Sequence, residues 1–196
     1  MFTGIVEDVG VVATRSTGQA DIAVSERFLR KLSPGGSVAV SGVCLTVREF
    51  TAGGFRADIS PETARRTILG SLRPGVRVNL ERPITLDQGL DGHLVLGHVD
   101  TVGRVAALHR DGEAWAMHVS FPPSYARYVV EKGSVAIDGI SLTCFAVQQD
   151  AFRCAVIGET IARTTLADRR SGDPVNLEFD ILAKYVERMM TYVHPH

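Results

Sequence analysis

Few side chains in this sequence stand ready for chemistry, and none forms a ready-made constellation. Cys44, Cys144 and Cys154 show no Cys-x-x-Cys spacing, so neither a disulfide scaffold nor a cysteine-rich zinc site is expected. His93 and His98 stand five residues apart, a poor spacing for a shared helical face and one that falls on opposite faces of a strand. They are weak candidates for a joint metal site. His194 and His196 flank Pro195 at the terminus and read as a tail. No phosphate-binding glycine loop, dinucleotide fingerprint, zinc-protease helix or nucleophile elbow occurs.

An internal repeat supplies the missing handle. GSVAVSGVCLT at 36–46 returns as GSVAIDGISLT at 133–143, with seven of eleven positions identical. ETARRTIL at 62–69 matches ETIARTTL at 159–166, and GVRVNLE at 75–81 matches GDPVNLE at 172–178, all at an offset of 97. GIVEDVGVV at 4–12 matches GHVDTVGRV at 97–105 at an offset of 93, which one four-residue insertion reconciles. The chain is a duplication.

Residues kept in both copies read as requirements of the fold: Gly42 and Gly139, Asn79 and Asn176, Glu81 and Glu178. Glu62-Thr63 and Glu159-Thr160 stand where a strand gives way to a helix. They are either helix caps or the walls of two equivalent pockets for a planar ligand. The changed residues carry the contrast. Cys44 is replaced by Ser141, Ile5 by His98, Ser41 by Asp138, and Arg82-Pro83 by Phe179-Asp180. Two pockets alike in shape but unequal in proton chemistry suit an enzyme that binds one molecule twice, in different roles.

Each half is a series of short β-branched runs broken by glycine. Strands are predicted over 4–12, 20–24, 37–40, 45–50, 55–59 and 76–80, then over 97–105, 115–121, 134–137, 142–147, 152–157 and 175–179. Short helices fit 26–32, 63–69, 124–131 and 161–167. About six strands per half suit an antiparallel barrel, whose closure removes exposed edges. After the repeats, Leu182, Tyr185, Met189 and Tyr192 recur at helical spacing, widened by Val186 and Val193. Lys184, Glu187 and Arg188 fall on the other face. That helix either packs on its own barrel or forms a seam between subunits.

Composition closes off other classes. Lysines and arginines number 21 against 22 acidic residues, a net charge of −1, which argues against nucleic acid or an anionic membrane as partner. No apolar run reaches the ~18–20 residues of a membrane span. The first ten residues lack a basic region and include Glu7 and Asp8, so a cytoplasmic location is expected.

MFTGIVE at 1–7, GVCLT at 42–46, GHVD at 97–100 and DGISLT at 138–143 together resemble riboflavin synthase of the alpha-chain type. The likeness runs in order over about residues 1–190, duplication included. It implies an all-β fold: two tandem six-stranded Greek-key antiparallel barrels, over residues 1–90 and 91–180. A C-terminal helix and tail at 181–196 would assemble a homotrimer, with active sites shared between subunits. Two molecules of 6,7-dimethyl-8-ribityllumazine would meet in each site and exchange a four-carbon unit. The products would be riboflavin and 5-amino-6-ribitylamino-2,4-pyrimidinedione, formed without cofactor or metal. Lumazine synthase is a candidate partner.

By the same resemblance one lumazine contacts Gly4, Ile5, Val6, Cys44, Leu45, Thr46 and the stretch Asp58, Ile59, Ser60, Pro61, Glu62 and Thr63. The second contacts Gly97, His98, Val99, Lys132, Ser141, Leu142 and Thr143, with Ala155, Val156, Ile157, Gly158, Glu159 and Thr160. Catalytic weight is implied for Phe2, Ser37, Cys44, His98, Ser141, Thr143 and Asp180. Cys44 and Ser37 would activate a nucleophile added to one lumazine, while His98 and Asp180 would move protons or orient the other. Gly158, where the sister stretch has Pro61, departs from the proline common in the family, and is expected to loosen the second pocket. Two other classes compete. A non-catalytic lumazine- or flavin-binding protein would share the fold but lose the reactive positions. An oligonucleotide-binding tandem barrel would need basic grooves with interleaved aromatics, and this chain has one Trp.

Overall fold

A computed structural model describes the backbone of residues 1–193 and the side chains as far as Thr191. The histidine pair of the tail, and the side chains of Tyr192 and Val193, lie outside the described residues. The first six strands are β1 (Asp8–Ser16), β2 (Gln19–Ala23), β3 (Ser37–Val40), β4 (Val43–Thr51), β5 (Gly54–Asp58) and β6 (Arg77–Glu81). They close into a barrel in the order β1-β2-β5-β4-β3-β6, all neighbours antiparallel. The meander β3-β4-β5, with β2 returning beside β5, is a Greek key. A second barrel repeats this order with β7 (Thr101–Asp111), β8 (Ala114–Ser120), β9 (Ser134–Ile137), β10 (Ile140–Phe145), β11 (Ala151–Val156) and β12 (Pro174–Phe179).

Period-two alternation fills each barrel. Val38, Val40, Val43, Leu45 and Val47 point into the first core, and Val135, Ile137, Ile140, Leu142 and Cys144 into the second. Cys44 and Thr46 therefore stand on the outside of β4, as Ser141 and Thr143 do on β10. Six short helical pieces, three α and three 3-10, fill the four segments predicted to be helical. Helices α1 (Glu26–Leu29), α2 (Pro61–Arg66) and α3 (Gly158–Arg163) are shorter than the periodicity suggests. Thr67 and Thr164 adopt extended φ of −131° and −129°, which cuts each predicted helix into an α turn and a 3-10 turn. The segment 124–131 likewise forms a 3-10 turn, Pro123–Tyr128.

The strands predicted to begin at residues 4 and 97 instead begin at 8 and 101. Gly4 and Gly97 both take φ of +80°, a left-handed geometry that ends a strand and favours glycine. The residues before them form two arms, which pair where Phe2 meets Val95. Each arm is tethered by a buried carboxylate. Glu81 accepts from Thr3 N at 2.6 Å and Gly4 N at 3.0 Å. Glu178 accepts from Leu96 N at 2.6 Å and Gly97 N at 2.9 Å.

The barrels meet through reciprocal contacts across a local two-fold relation. Asn79 Oδ1 accepts from Thr165 N at 2.8 Å, and Asn176 Oδ1 accepts from Ile68 N at 2.8 Å. Their amide nitrogens donate to Asp138 O at 2.9 Å and Ser41 O at 2.8 Å. A Cβ on Gly42 would stand 2.6 Å from Gly139 N, and one on Gly139 would stand 2.7 Å from Gly42 N. The residues common to both copies are thus interface and arm-holding residues, as the repeat suggested.

Helix α4 (Ile181–Val193) follows β12. Its polar face docks: Lys184 pairs with Asp100 at 2.6 Å, and Glu187 binds Arg127 and Tyr128. Leu182, Tyr185, Val186, Met189 and Met190 are exposed, so the apolar stripe does not cover the helix's own barrel. Among the described residues, no helix is long and apolar enough to cross a membrane.

Candidate active site

Each arm crosses to the other barrel and builds one wall of a cleft there. Gly97 O accepts from Cys44 N at 2.9 Å, laying Gly97, His98 and Val99 beside β4. Gly4 O accepts from Ser141 N at 2.8 Å, laying Gly4, Ile5 and Val6 beside β10. The approach leaves no room for side chains at the glycines: an added Cβ would stand 2.5 Å from Cys44 Cβ at Gly97, and 2.6 Å from Ser141 Cβ at Gly4. The cleft beside Cys44 encloses about 200 Å³ between Val43, Glu62, Thr63, Arg66, Thr67 and the His98 arm. Its counterpart beside Ser141 encloses about 210 Å³ between Ile140, Glu159, Thr160, Arg163, Thr164 and the Ile5 arm.

This geometry divides the sequence-derived contacts differently. His98 shares a cleft with Cys44, while Gly4, Ile5 and Val6 join Ser141, Glu159 and Thr160. The division follows from the crossing of the arms, which the duplication by itself does not reveal. Ser60, not Glu62 or Thr63, caps α2, accepting from Thr63 N at 3.0 Å. Glu62 pairs with Arg65 and Arg66, and Thr63 is left on the cleft wall. Across the relation, Ile157 caps α3 with no side-chain hydrogen bond, and Gly158 opens that helix with free space around it. Pro61 opens α2 at the matching place.

The remaining candidates spread out from these clefts. Ser37 lies opposite Thr46 in the β3–β4 register, as Ser134 lies opposite Thr143. Leu45, Leu142, Ile59 and Val156 are core residues, which leaves their backbone to face a ligand. Asp58 pairs with Arg48 at 3.0 Å, and Ala155 lies opposite Ala116. Phe2 is fully buried between the barrels with Ala39, Val95 and Ala136, against Cys44. Lys132 sits in the turn before β9 with φ of +64°, outside both clefts. Asp138 belongs to the β9–β10 turn rather than to a cleft, bound to Arg169 at 2.7 Å and Asn176 N at 2.8 Å. Among the described residues, no group of three or more His, Cys, Asp or Glu is placed to hold a metal ion.

His93 is the residue that sequence comparison overlooked. Its Nδ1 lies 2.7 Å from Ser141 Oγ. Burial pushes the imidazole below its usual range, with the Asp180 carboxylate pulling weakly the other way. Asp180 itself caps α4, accepting from Leu182 N at 2.9 Å. A neutral imidazole hydrogen-bonded to a hydroxyl can take up or return that hydroxyl's proton. The repeat gives no sign of it, because the position matching His93 falls before Met1. Arg66 and Arg163 also line the clefts, and because they are identical in both copies the contrast between the copies does not mark them.

Comparison with known proteins converges on one group. The lumazine binding domain family matches residues 3–83 and 96–180. A riboflavin synthase of Mycobacterium bovis is 46% identical over 97% of this chain and 98% of its own length. The chain belongs to the riboflavin synthase family. The riboflavin synthases of Actinobacillus pleuropneumoniae and Bacillus subtilis are 40% and 35% identical, each over 97% of this chain and 90% of their own length. Among solved structures, LumP complexed with 6,7-dimethyl-8-(1'-D-ribityl) lumazine superposes with a TM-score of 0.83. It is 21% identical and covers 91% of this chain and 99% of its own, which speaks for the fold alone. The riboflavin synthase relatives thus span both barrels and the arms between them.

Proposed function

We propose that the chain converts two molecules of 6,7-dimethyl-8-ribityllumazine into riboflavin and 5-amino-6-ribitylamino-2,4-pyrimidinedione. One lumazine gives up four carbons and the other gains them. The observation that carries this reading is a pair of clefts with one frame and two chemistries: Cys44 and His98 in one, Ser141 and Ile5 in the other. The 7-methyl group of a lumazine is acidic because its carbanion delocalises into the electron-poor ring. The protein needs to hold two such rings together, move protons and leave little else to chance. Positioning alone supplies up to about 7–11 kcal/mol in ideal cases, and each well-placed acid or base about 10²–10⁴-fold.

In this reading Cys44, with Ser37 nearby on the same outer face, activates the nucleophile added to one lumazine, and His98 moves protons in that cleft. Ser141, backed by His93 and Asp180, serves the other ring. Thr46, Thr63, Thr143 and Thr160 offer hydroxyls, Leu45 and Leu142 their backbone, and Phe2 holds the paired arms. Each lumazine-binding unit, 1–90 and 91–180, borrows an arm from the other. The exposed stripe of α4 supports its assignment to a homotrimer seam, which would bring a cleft of one subunit against a cleft of its neighbour. Lys132, away from both clefts, fits a contact across that seam. Free thiols at Cys44, Cys144 and Cys154 are consistent with a reducing cytoplasm.

The test is to incubate the protein with dimethylribityllumazine alone. Loss of two lumazines per riboflavin formed is the expected result. Tight binding without riboflavin would return the chain to the class of non-catalytic lumazine binders.

A further inference from the structure

The two arms are anchored by carboxylates at matching positions, Glu7 and Asp100, but their cationic partners come from different places. Glu7 accepts from Arg82 N at 3.0 Å and pairs with the same residue's guanidinium at 2.8 Å. Asp100 accepts from Phe179 N at 2.9 Å, the residue that matches Arg82, and pairs instead with Lys184 at 2.6 Å. Phenylalanine at 179 cannot supply a charge, so α4 does. The side chains of Lys184 and Asp100 retain 22% and 17% exposure, enough burial for the pair to escape most solvent screening.

The cation serves more than Asp100. Burial pushes the Glu178 carboxyl above its usual range; the bonds from Leu96 N and Gly97 N and the charge of Lys184 pull it back, and Asp100 adds to the push. Glu178 holds Leu96 N and Gly97 N, and Gly97 holds Cys44 N. His98 is the next residue. Lys184 thus grips the arm directly through Asp100, two residues beyond His98, and reaches its second anchor, Glu178, through its electrostatic field.

We infer that Lys184 is a positioning residue of the reaction: from the C-terminal helix it fixes the arm that presents His98 to the Cys44 cleft. The inference rests on the function proposed above. Without the ammonium, Asp100 loses its partner and Glu178 moves toward its protonated form, which holds Leu96 N and Gly97 N less firmly. The charged and titratable groups that face this point are Asp100 on the arm, Glu178 on β12, Lys184 on α4, Arg66 on α2 and the Tyr125 hydroxyl, which donates to Asp100 O at 3.1 Å.

Lys184→Met keeps the stem and removes the charge. A displaced catalytic group is costly, so kcat is expected to fall about tenfold while KM stays nearly constant. The His98 ring signals, followed by NMR at fixed pH without substrate, are expected to shift and broaden as the arm loosens. Lys184→Arg restores the charge and is expected to recover most of kcat and the parent His98 signals. Sedimentation and thermal melting of each variant report assembly and folding. Unchanged kcat and unchanged His98 signals in Lys184→Met would overturn the inference. So would a loss of kcat that merely follows dissociation, with His98 unmoved. If the parent protein makes no riboflavin, the proposed function fails, and the His98 signals still test the arm.

Discussion

Replacing Asn79 by alanine tests whether the reciprocal amide bonds hold the barrels together. The Asn79 side chain is 2% exposed and makes two bonds to the other barrel, from Thr165 N at 2.8 Å and to Asp138 O at 2.9 Å. Alanine deletes both partners and leaves a buried N–H and a buried carbonyl without a mate. Each orphaned group costs about 1–3 kcal/mol, so the loss is about 2–6 kcal/mol before any cavity is counted. That is a large share of the ~5–15 kcal/mol by which domains are ordinarily stable. Urea unfolding followed by both Trp115 fluorescence and circular dichroism should show an earlier midpoint. Because Trp115 lies in the second barrel, its transition should also part from the global one as the barrels uncouple. Asn176→Ala, which orphans Ile68 N and Ser41 O, should cost a similar amount. A loss below about 1 kcal/mol in both variants would show that water satisfies these groups, and the interface argument would fail.

Other perturbations reach the clefts and the helix. His93→Gln should slow turnover by about 10²-fold and change the acid limb of stability. Burial lowers the His93 pKa, so the folded chain binds fewer protons than the unfolded one below about pH 6.5, and the stability present above that pH is lost as pH falls. The glutamine variant should flatten that slope in urea titrations, and an unaltered slope would remove His93 from the account. Gly158→Pro should raise stability by about 0.4–1 kcal/mol, since a Cβ there meets open space and Pro61 already serves in α2. A lower melting temperature would mean that the α3 backbone cannot accept the ring. Met189→Asp, at a side chain 69% exposed on α4, should dissociate the proposed trimer in sedimentation while circular dichroism stays native. A variant that keeps the parent's sedimentation would take the stripe out of the seam.

How much of this was legible in the sequence depends on the range of each interaction. Barrel strands such as Ser37–Val40 and Ser134–Ile137 follow from local alternation, and both were placed to the residue. The arms did not follow, because what ends them is distant: Glu81 is 78 residues from Thr3, and Glu178 is 82 from Leu96. Alternation at Gly4–Val12 looks like one strand, and what divides it is the left-handed turn at Gly4 held by the carboxylate across the barrel. The same distance hid the meeting of Cys44 with His98. For α4 the spacing showed two faces without saying which one docks, since Lys184 and Glu187 find partners that no local pattern displays.

The crossing of the arms carries a history. Its contacts come as reciprocal pairs, Gly97 on Cys44 and Gly4 on Ser141, Asn79 on Thr165 and Asn176 on Ile68. Reciprocity of that kind characterises isologous dimers, in which the same patch of each subunit meets the other. Two separate copies of a single barrel would make every one of these contacts, with each arm reaching into its twin. In such an ancestor both clefts are encoded by one gene, so a cysteine gained in one appears in the other, and a histidine likewise. Fusion freed the halves to differ. A dismutation, in which identical molecules leave with opposite fates, asks for that inequality, and a homodimer with enforced symmetry could not have evolved it one substitution at a time.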